Sequence, residues 1–254
     1  NFTACSNDDD NNPNIPMIPV VVKPNLEFVG LTASNALVKY NANNSASVIS
    51  TQSVTGLQAG ENLLAIDFRP GTGQLYALGS SSRLYIINQN TGAATALGAG
   101  PFSPAVSGSL TGFDFNPTVD RIRVVTSSGQ NLRLHPETGA VAATDGNLNP
   151  GTPNVGSAAY TNNTSGATTT ELFTIDFTTG TLYKQDPPNA GTLVSIGNLG
   201  LGSAASGDGG FDISAVGGIA LASLTTGSNN NLYQIDLATG KAKNLGKLSS
   251  PIIG

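Results

Sequence analysis

A short turn-like pattern recurs along this chain and constrains its fold more than any other feature. Each copy runs from an apolar residue through Asn, Asp or His and two variable positions to Thr and Gly. The copies are INQNTG at 87–92, LHPETG at 134–139, IDFTTG at 175–180, IDLATG at 235–240 and a weaker YNANNS at 40–45. In a turn, an Asn or Asp side chain accepts a hydrogen bond from the backbone two residues on, and Gly supplies a positive φ. The pattern therefore predicts five equivalent hairpin turns.

The spacing of these turns indicates the architecture. Their second positions, at residues 41, 88, 135, 176 and 236, are separated by 47, 47, 41 and 60 residues. A period of about 40–50 residues is typical of a propeller blade, and 254 residues can form one all-β unit. No segment has a convincing helical period. The sequence therefore predicts an all-β fold, a single β-propeller of five four-stranded blades over residues 26–254.

A second motif predicts the inner strands and the closure of the ring. LAIDFRP at 64–70 matches TGFDFNP at 111–117, with weaker equivalents at 157–162 and 209–214. Residues 26–58 offer three strands, near 28–31, 36–40 and 48–54, but no inner one. We expect residues 251–254 to supply it, so that the N- and C-terminal segments share a blade and leave no open sheet edge. Because that segment is so short, we also expect the natural chain to continue a few residues past Gly254.

Residues 1–25 form an acidic and then proline-rich arm ahead of this domain. The one cysteine, Cys5, follows Phe2-Thr3-Ala4 and precedes Ser6-Asn7-Asp8-Asp9-Asp10, which resembles a bacterial lipoprotein signal with the acidic tract of surface-exposed lipoproteins. This predicts a lipid anchor at Cys5 and a location outside the cell or on the outer-membrane surface. The alternative is an ordinary acidic tail. A lone cysteine excludes an internal disulfide.

The arm also carries large apolar side chains among its prolines. Burial of each would contribute roughly 1.5–3 kcal/mol. We therefore expect the arm to dock on its own propeller or on a neighbouring molecule. Self-association through residues 13–24 is the alternative to an anchored monomer. The expected contact residues are Ile15, Met17, Ile18, Val20, Val21 and Val22.

The charge and the scarcity of His and Cys exclude several functions. Charged residues make up 11% of the chain and the net charge is −5, whereas a nucleic-acid binder needs a basic surface. No apolar run approaches the ~18 residues of a membrane span, so the predicted membrane contact is the lipid anchor alone. With one His and one Cys, zinc sites based on His and Cys–His nucleophiles are excluded. We predict no enzyme; an enzyme that acts on carbohydrates or esters is the third alternative.

Two groups of polar residues are candidate sites. Asp67, Asp114 and Asp212 occupy equivalent positions of three inner strands, and a ring of carboxylates at the axis could hold Ca²⁺. Alternatively, these aspartates bond Arg69, Arg121 and Arg123, or backbone amides of the next blade. No other cofactor is predicted.

The second group contains Arg121, Arg123, Arg133 and His135, paired by alternation on the faces of two neighbouring strands. Arginines gathered in this way could contact an anion or an acidic sugar. Alternatively, they form ion pairs with Asp114, Asp120 or Asp145 at a blade interface, and His135 is a turn residue.

Three long segments carry a resemblance to a known family. They are GFDFNPTVDRIRVV continuing to residue 150, IDFRP…GQLYALG at 66–79 and ATTTELFTID…PPNAGTL at 167–193. Together they resemble a bacterial secreted family described only as a domain of unknown function. The resemblance implies a β-propeller and brings no activity or site residues. We therefore expect a non-catalytic extracellular binding or scaffold module on a bacterial surface, whose partner is a surface protein or glycan. The alternative is a structural subunit of an extracellular assembly, linked through the arm.

Overall fold

A computed structural model describes residues 21–202, 205 and 209–254, and these residues form an all-β protein. The first blade contains β1 (Glu27–Leu31), β2 (Ala36–Asn41) and β3 (Val48–Ser53). The second contains β4 (Leu63–Phe68), β5 (Leu75–Gly79), β6 (Arg83–Ile87) and β7 (Ala94–Leu97). The third contains β8 (Thr111–Asn116), β9 (Arg121–Thr126), β10 (Asn131–Leu134) and β11 (Val141–Thr144). The fourth contains β12 (Ala159–Tyr160), β13 (Leu172–Asp176), β14 (Thr181–Gln185) and β15 (Leu193–Asn198). The fifth contains β16 (Phe211–Ile213), β17 (Ala220–Thr226), β18 (Asn229–Ile235) and β19 (Ala242–Lys247).

Each blade is an antiparallel sheet, and the C-terminal segment completes the first one. The strands of blades two to five pair in chain order, whereas blade one has only β1, β2 and β3 as paired strands. Leu31 N donates to Gly254 O at 2.7 Å, and Ile253 N donates to Leu31 O at 2.7 Å. Ile252 is buried with Val38 of β2. The predicted five-bladed propeller, closed by its two terminal segments, is confirmed.

Each of the five predicted turns contains the same type of hydrogen bond. In each, the side chain at the second position accepts from the backbone N–H two residues on, and this gives Asn41–Asn43 (3.1 Å), Asn88–Asn90 (3.0 Å), His135–Glu137 (3.1 Å), Asp176–Thr178 (2.8 Å) and Asp236–Ala238 (2.9 Å). His135 accepts through Nδ1, so it acts as the turn residue of its blade. The glycines that end four of these turns have positive φ, at 92, 139, 180 and 240.

The inner strands approach one another closely around the axis. A Cβ atom on Gly112 of β8 would lie 2.3 Å from the carbonyl carbon of Ser157, ahead of β12. A Cβ atom on Gly210 would lie 2.9 Å from the carbonyl carbon of Gly254. No larger residue fits at either position without moving the backbone of the neighbouring blade. The small residues of the second motif therefore set the distance between blades.

The described end of the arm is exposed. The exposed fractions of Val21 and Val22 are 43% and 77%, and the contact here is polar, with Lys243 Nζ donating to Val22 O at 3.0 Å. These two valines are therefore not buried against their own propeller. Cys5 and the predicted contact residues from Ile15 to Val20 lie outside the described residues. Within the described part of the chain, no helix is long and apolar enough to cross a membrane.

Candidate functional site

An axial cavity of about 420 Å³ is the candidate site. Residues from the inner strands of blades two, three and five line it, as do residues 156–158 before β12, the C-terminal segment and β1. Its walls are largely apolar, and its charged lining residues are Glu27, Asp67, Arg69 and Asp212. Two of the three predicted axial aspartates therefore face the cavity.

Asp67 and Asp114 bond the backbone of the next blade. Asp67 Oδ2 accepts from Phe115 N at 2.7 Å, and Oδ1 accepts from its neighbour Phe68 N at 2.7 Å. Asp114 Oδ2 accepts from Tyr160 N at 2.9 Å. The carboxylates thus connect blade two to blade three and blade three to blade four. These contacts correspond to the predicted alternative in which the aspartates bond backbone amides of the next blade.

The carboxyl groups of Asp67 and Asp114 affect each other's ionisation. Both side chains are buried, and Asp114 Oδ1 has no hydrogen-bond partner among the described residues. Burial raises the pKa of Asp67 well above its usual range, and the charge of Asp212 adds to this rise. Burial and the charges of Asp67 and Asp212 raise the pKa of Asp114 in the same way. Because Oδ1 of Asp114 accepts no hydrogen bond from the described residues, we expect this carboxyl to keep its proton to a higher pH than a free aspartate does.

This pair predicts a pH dependence of stability. A carboxyl whose pKa is raised by folding binds its proton more tightly in the folded state. Its stabilising effect is therefore complete below the unfolded value near 4 and is lost as the pH rises through the raised value. Asp114→Asn replaces this carboxyl with an amide that cannot titrate. We expect the free energy of unfolding to fall less between pH 5 and pH 8 in this variant, by about 1.4 kcal/mol for each unit of the pKa rise that lies within this pH interval.

Urea denaturation at the two pH values measures the effect. Asp236→Asn is the matched control, because the equivalent turn of blade two already has Asn88. The control should keep the pH dependence that the raised pKa values of Asp67 and Asp114 cause. Parallel pH profiles for the natural chain and Asp114→Asn would contradict a raised pKa of Asp114.

Asp212 differs from the other two aspartates. Its Oδ1 accepts from Ile213 N at 2.6 Å, within its own strand, and its side chain is exposed because it faces the cavity. Although the side chain is exposed to the cavity, burial among the inner strands raises the pKa of Asp212, and the hydrogen bond from Ile213 N opposes that rise. Among the described residues, no three His, Cys, Asp or Glu side chains are arranged to hold one metal ion. The calcium site stays a prediction.

The predicted arginine cluster is divided by its contacts. Arg123 is buried, and its guanidinium donates to Asp145 Oδ2 (2.6 Å), Asn131 Oδ1 (2.8 Å), Asn189 Oδ1 (2.7 Å) and Tyr160 OH (3.2 Å). Arg133 bonds both oxygens of Asp145 at 2.8 Å. Arg121 donates to Asp120 O instead, and His135 serves its turn. The geometry is thus that of the ion-pair alternative, with Asp145 as the shared carboxylate.

Asp145 is held ionised by this network. Burial acts to raise its pKa, but the hydrogen bonds from Arg133 and Arg123 outweigh burial and lower it. Asn131 extends the network across the blades, since its Nδ2 donates to Pro188 O at 3.0 Å. The network therefore connects blade three to residues of blade four that are distant from it in the sequence.

Sequence reasoning missed another buried carboxylate, Glu61. It accepts from Ser81 N at 2.7 Å, from Ser81 Oγ at 2.6 Å and from Tyr85 OH at 3.0 Å. Burial acts to raise its pKa, but the bonds from Ser81 and Tyr85 outweigh burial and lower it. A lone Glu between two predicted strands carries no sequence signal for such a role.

Comparisons with known proteins place the domain in a family. Residues 36–254 match the model of a domain of unknown function, DUF4394. PorZ, a surface component of the type-IX secretion system of Porphyromonas gingivalis, aligns with 91% of this chain at 15% identity and a TM-score of 0.46. BamB from Moraxella catarrhalis aligns with 84% of the chain at 16% identity and a TM-score of 0.38. The chain spans 30% of the length of PorZ and 56% of that of BamB. No curated protein gives a significant match.

Proposed function

This chain belongs to the family described as a domain of unknown function, DUF4394, and from that premise we propose that it is a non-catalytic binding or scaffold module displayed outside a bacterial cell. The axial cavity is its binding site. The predicted partners are a surface protein or a glycan, of which a terminal group enters the cavity.

The observation that carries this proposal is the cavity itself. Its volume of about 420 Å³ lies within the range of sites for small ligands. Apolar walls with a few polar groups are the usual composition of such sites. Because the inner strands of a closed ring form the walls, the cavity is held open by the whole fold.

The buried charged groups support a non-catalytic role. Arg123 and Asp145 pair with each other, and Glu61 is bonded to Ser81 and Tyr85. A general acid, a general base or a nucleophile must reach the substrate. These groups are instead used to join strands and blades.

The location follows from the N-terminal segment. Cys5 with its acidic tract favours a lipid-anchored protein on the outer surface. A lipid anchor at Cys5, followed by the proline-rich segment, would hold the propeller away from the membrane, with its axial cavity accessible to partners.

A pair of neighbouring substitutions tests the cavity as the binding site. Ala215 lines the cavity and is exposed, whereas Val216 is exposed but does not line it. We expect Ala215→Trp to fill the cavity entrance and Val216→Trp to leave it open. Labelled protein is applied to arrays of defined glycans and of synthetic peptides. The proposal predicts at least one probe whose binding falls tenfold or more in Ala215→Trp and by less than twofold in Val216→Trp. Arrays on which the two variants behave alike would reject it.

A structural role in an extracellular assembly is the second candidate. It is favoured by the exposed Val21 and Val22, which leave apolar surface for a neighbouring molecule. This candidate predicts that the full, unlipidated chain forms oligomers by light scattering, and that deletion of residues 1–22 makes it monomeric. A full chain that stays monomeric at high concentration would exclude it.

A further inference from the structure

The axial cavity contains two carboxyl groups that have no cationic partner among the described residues. Of its four charged lining residues, Glu27 pairs with Lys39, and Arg69 pairs with Asp120 and Glu137. The other two are Asp67 and Asp212, for which the described residues provide no ion pair. Among the described residues, backbone amides are the donors to these two carboxyl groups. A cationic ligand would relieve the repulsion between Asp67 and Asp212.

The rest of the cavity is suited to hydrocarbon. Phe28, Phe211, Leu221, Ile213 and Ile252 line it beside the carboxyls. Burial of apolar surface against such walls is favourable, at roughly 25 cal/mol per Å². A ligand that fits both parts therefore has a charged end and an apolar body.

We infer that the axial cavity binds a primary ammonium group carried on a hydrocarbon stem, with the ammonium at Asp212 and Asp67 and the stem against Phe211 and Ile252. This inference rests on the proposed function and names the ligand class of the same site. An ammonium has three N–H donors, and the exposed carboxylate of Asp212 is available to accept them. A free alkylamine and a lysine side chain of a protein partner share this chemistry.

An ammonium group suits these carboxyl groups better than a metal ion does. Three oxygens of Asp67 and Asp114 already accept from backbone amides, and the described carboxylates form no group of three around one point. A metal ion needs several oxygen ligands at once. Charge-assisted hydrogen bonds from an ammonium need only one or two acceptors at about 2.7–2.9 Å.

Calorimetric titration of the full natural chain tests the inference with probes of equal length. Hexylamine carries the ammonium, 1-hexanol is neutral and hexanoate carries the opposite charge. We expect hexylamine to bind with one site and at least tenfold more tightly than 1-hexanol, and hexanoate to bind most weakly. Asp212→Asn should weaken hexylamine binding at least tenfold and leave 1-hexanol unchanged. Asp236→Asn, on an exposed turn of the same blade, should change neither.

Equal affinities for hexylamine and 1-hexanol, or equal effects of the two Asn variants, would overturn the inference. A peptide containing one lysine, compared with its acetylated form, distinguishes the source. If the lysine form binds like hexylamine, the ligand is a side chain of a protein partner; if only hexylamine binds, it is a free amine.

Failure of this inference is distinguishable from failure of the proposed function. If an array probe loses binding in Ala215→Trp but not in Val216→Trp while hexylamine does not bind, the cavity is the site and the ligand class is wrong. If hexylamine binds as expected and no array probe distinguishes the two Trp variants, the ligand class stands and the surface-partner proposal is wrong.

Discussion

A chain that ends at Leu248 is expected to lose most of its stability and to aggregate. Deletion of residues 249–254 removes Ile252 from a buried cluster and both backbone hydrogen bonds to Leu31. Loss of a buried Ile side chain costs about 2–5 kcal/mol, and each backbone hydrogen bond contributes about 0.5–1.5 kcal/mol. These losses compare with a total stability of about 5–15 kcal/mol for a typical domain. The deletion also exposes the edge of β1, which can pair with another chain.

The deletion is compared with single substitutions by urea denaturation and light scattering. Ile252→Ala should lower the free energy of unfolding by about 2–5 kcal/mol. Val216→Ala, at an exposed turn, should change it by less than about 0.5 kcal/mol. A truncated chain that remains monomeric with an unchanged denaturation midpoint would show that the C-terminal segment does not close the ring.

Arg123→Met is expected to destabilise the protein by up to about 3–5 kcal/mol, the range for removal of one member of a buried ion pair. The substitution removes the bonds from Arg123 to Asp145, Asn131, Asn189 and Tyr160. Asp145 keeps Arg133, which limits the loss. The remaining cost falls on the buried polar groups at the interface of blades three and four.

Arg121→Met is the matched control, because Arg121 lies two residues away on β9 and, among the described residues, donates only to the backbone of Asp120. Its expected effect is below about 1 kcal/mol. Denaturation midpoints of the two variants and of Arg133→Met should place Arg123→Met lowest. Equal midpoints for the Arg121 and Arg123 variants would contradict a structural role for the buried pair.

The turns and the blade count could be predicted from the sequence because their determinants are local. An Asn, Asp or His side chain accepts a hydrogen bond from an amide two residues away. The few residues around Asn88 or Asp236 are therefore enough to predict the turn. The crowding at Gly112 is likewise visible as small residues at the start of the motif. The role of residues 251–254 followed from counting the inner strands.

The partners of the polar residues could not be predicted in this way. Asp67 bonds an amide 48 residues away, and Arg123 bonds Asn189 66 residues away. These contacts depend on how far each blade is rotated about the axis, which no local pattern contains. The role of Tyr160 could not be predicted either. It stands where other blades have an aspartate, and its hydroxyl accepts a hydrogen bond from Arg123. The cavity arises only when the five inner strands meet.

A crystal structure of the natural chain grown with saturating hexylamine tests the axial binding site most directly. The ammonium nitrogen is expected within hydrogen-bond distance, about 2.7–2.9 Å, of the Asp212 carboxylate. The alkyl chain is expected to lie between Phe211 and Ile252. Hexylamine bound only on the outer surface, with the axial cavity free of it, would contradict the proposed site.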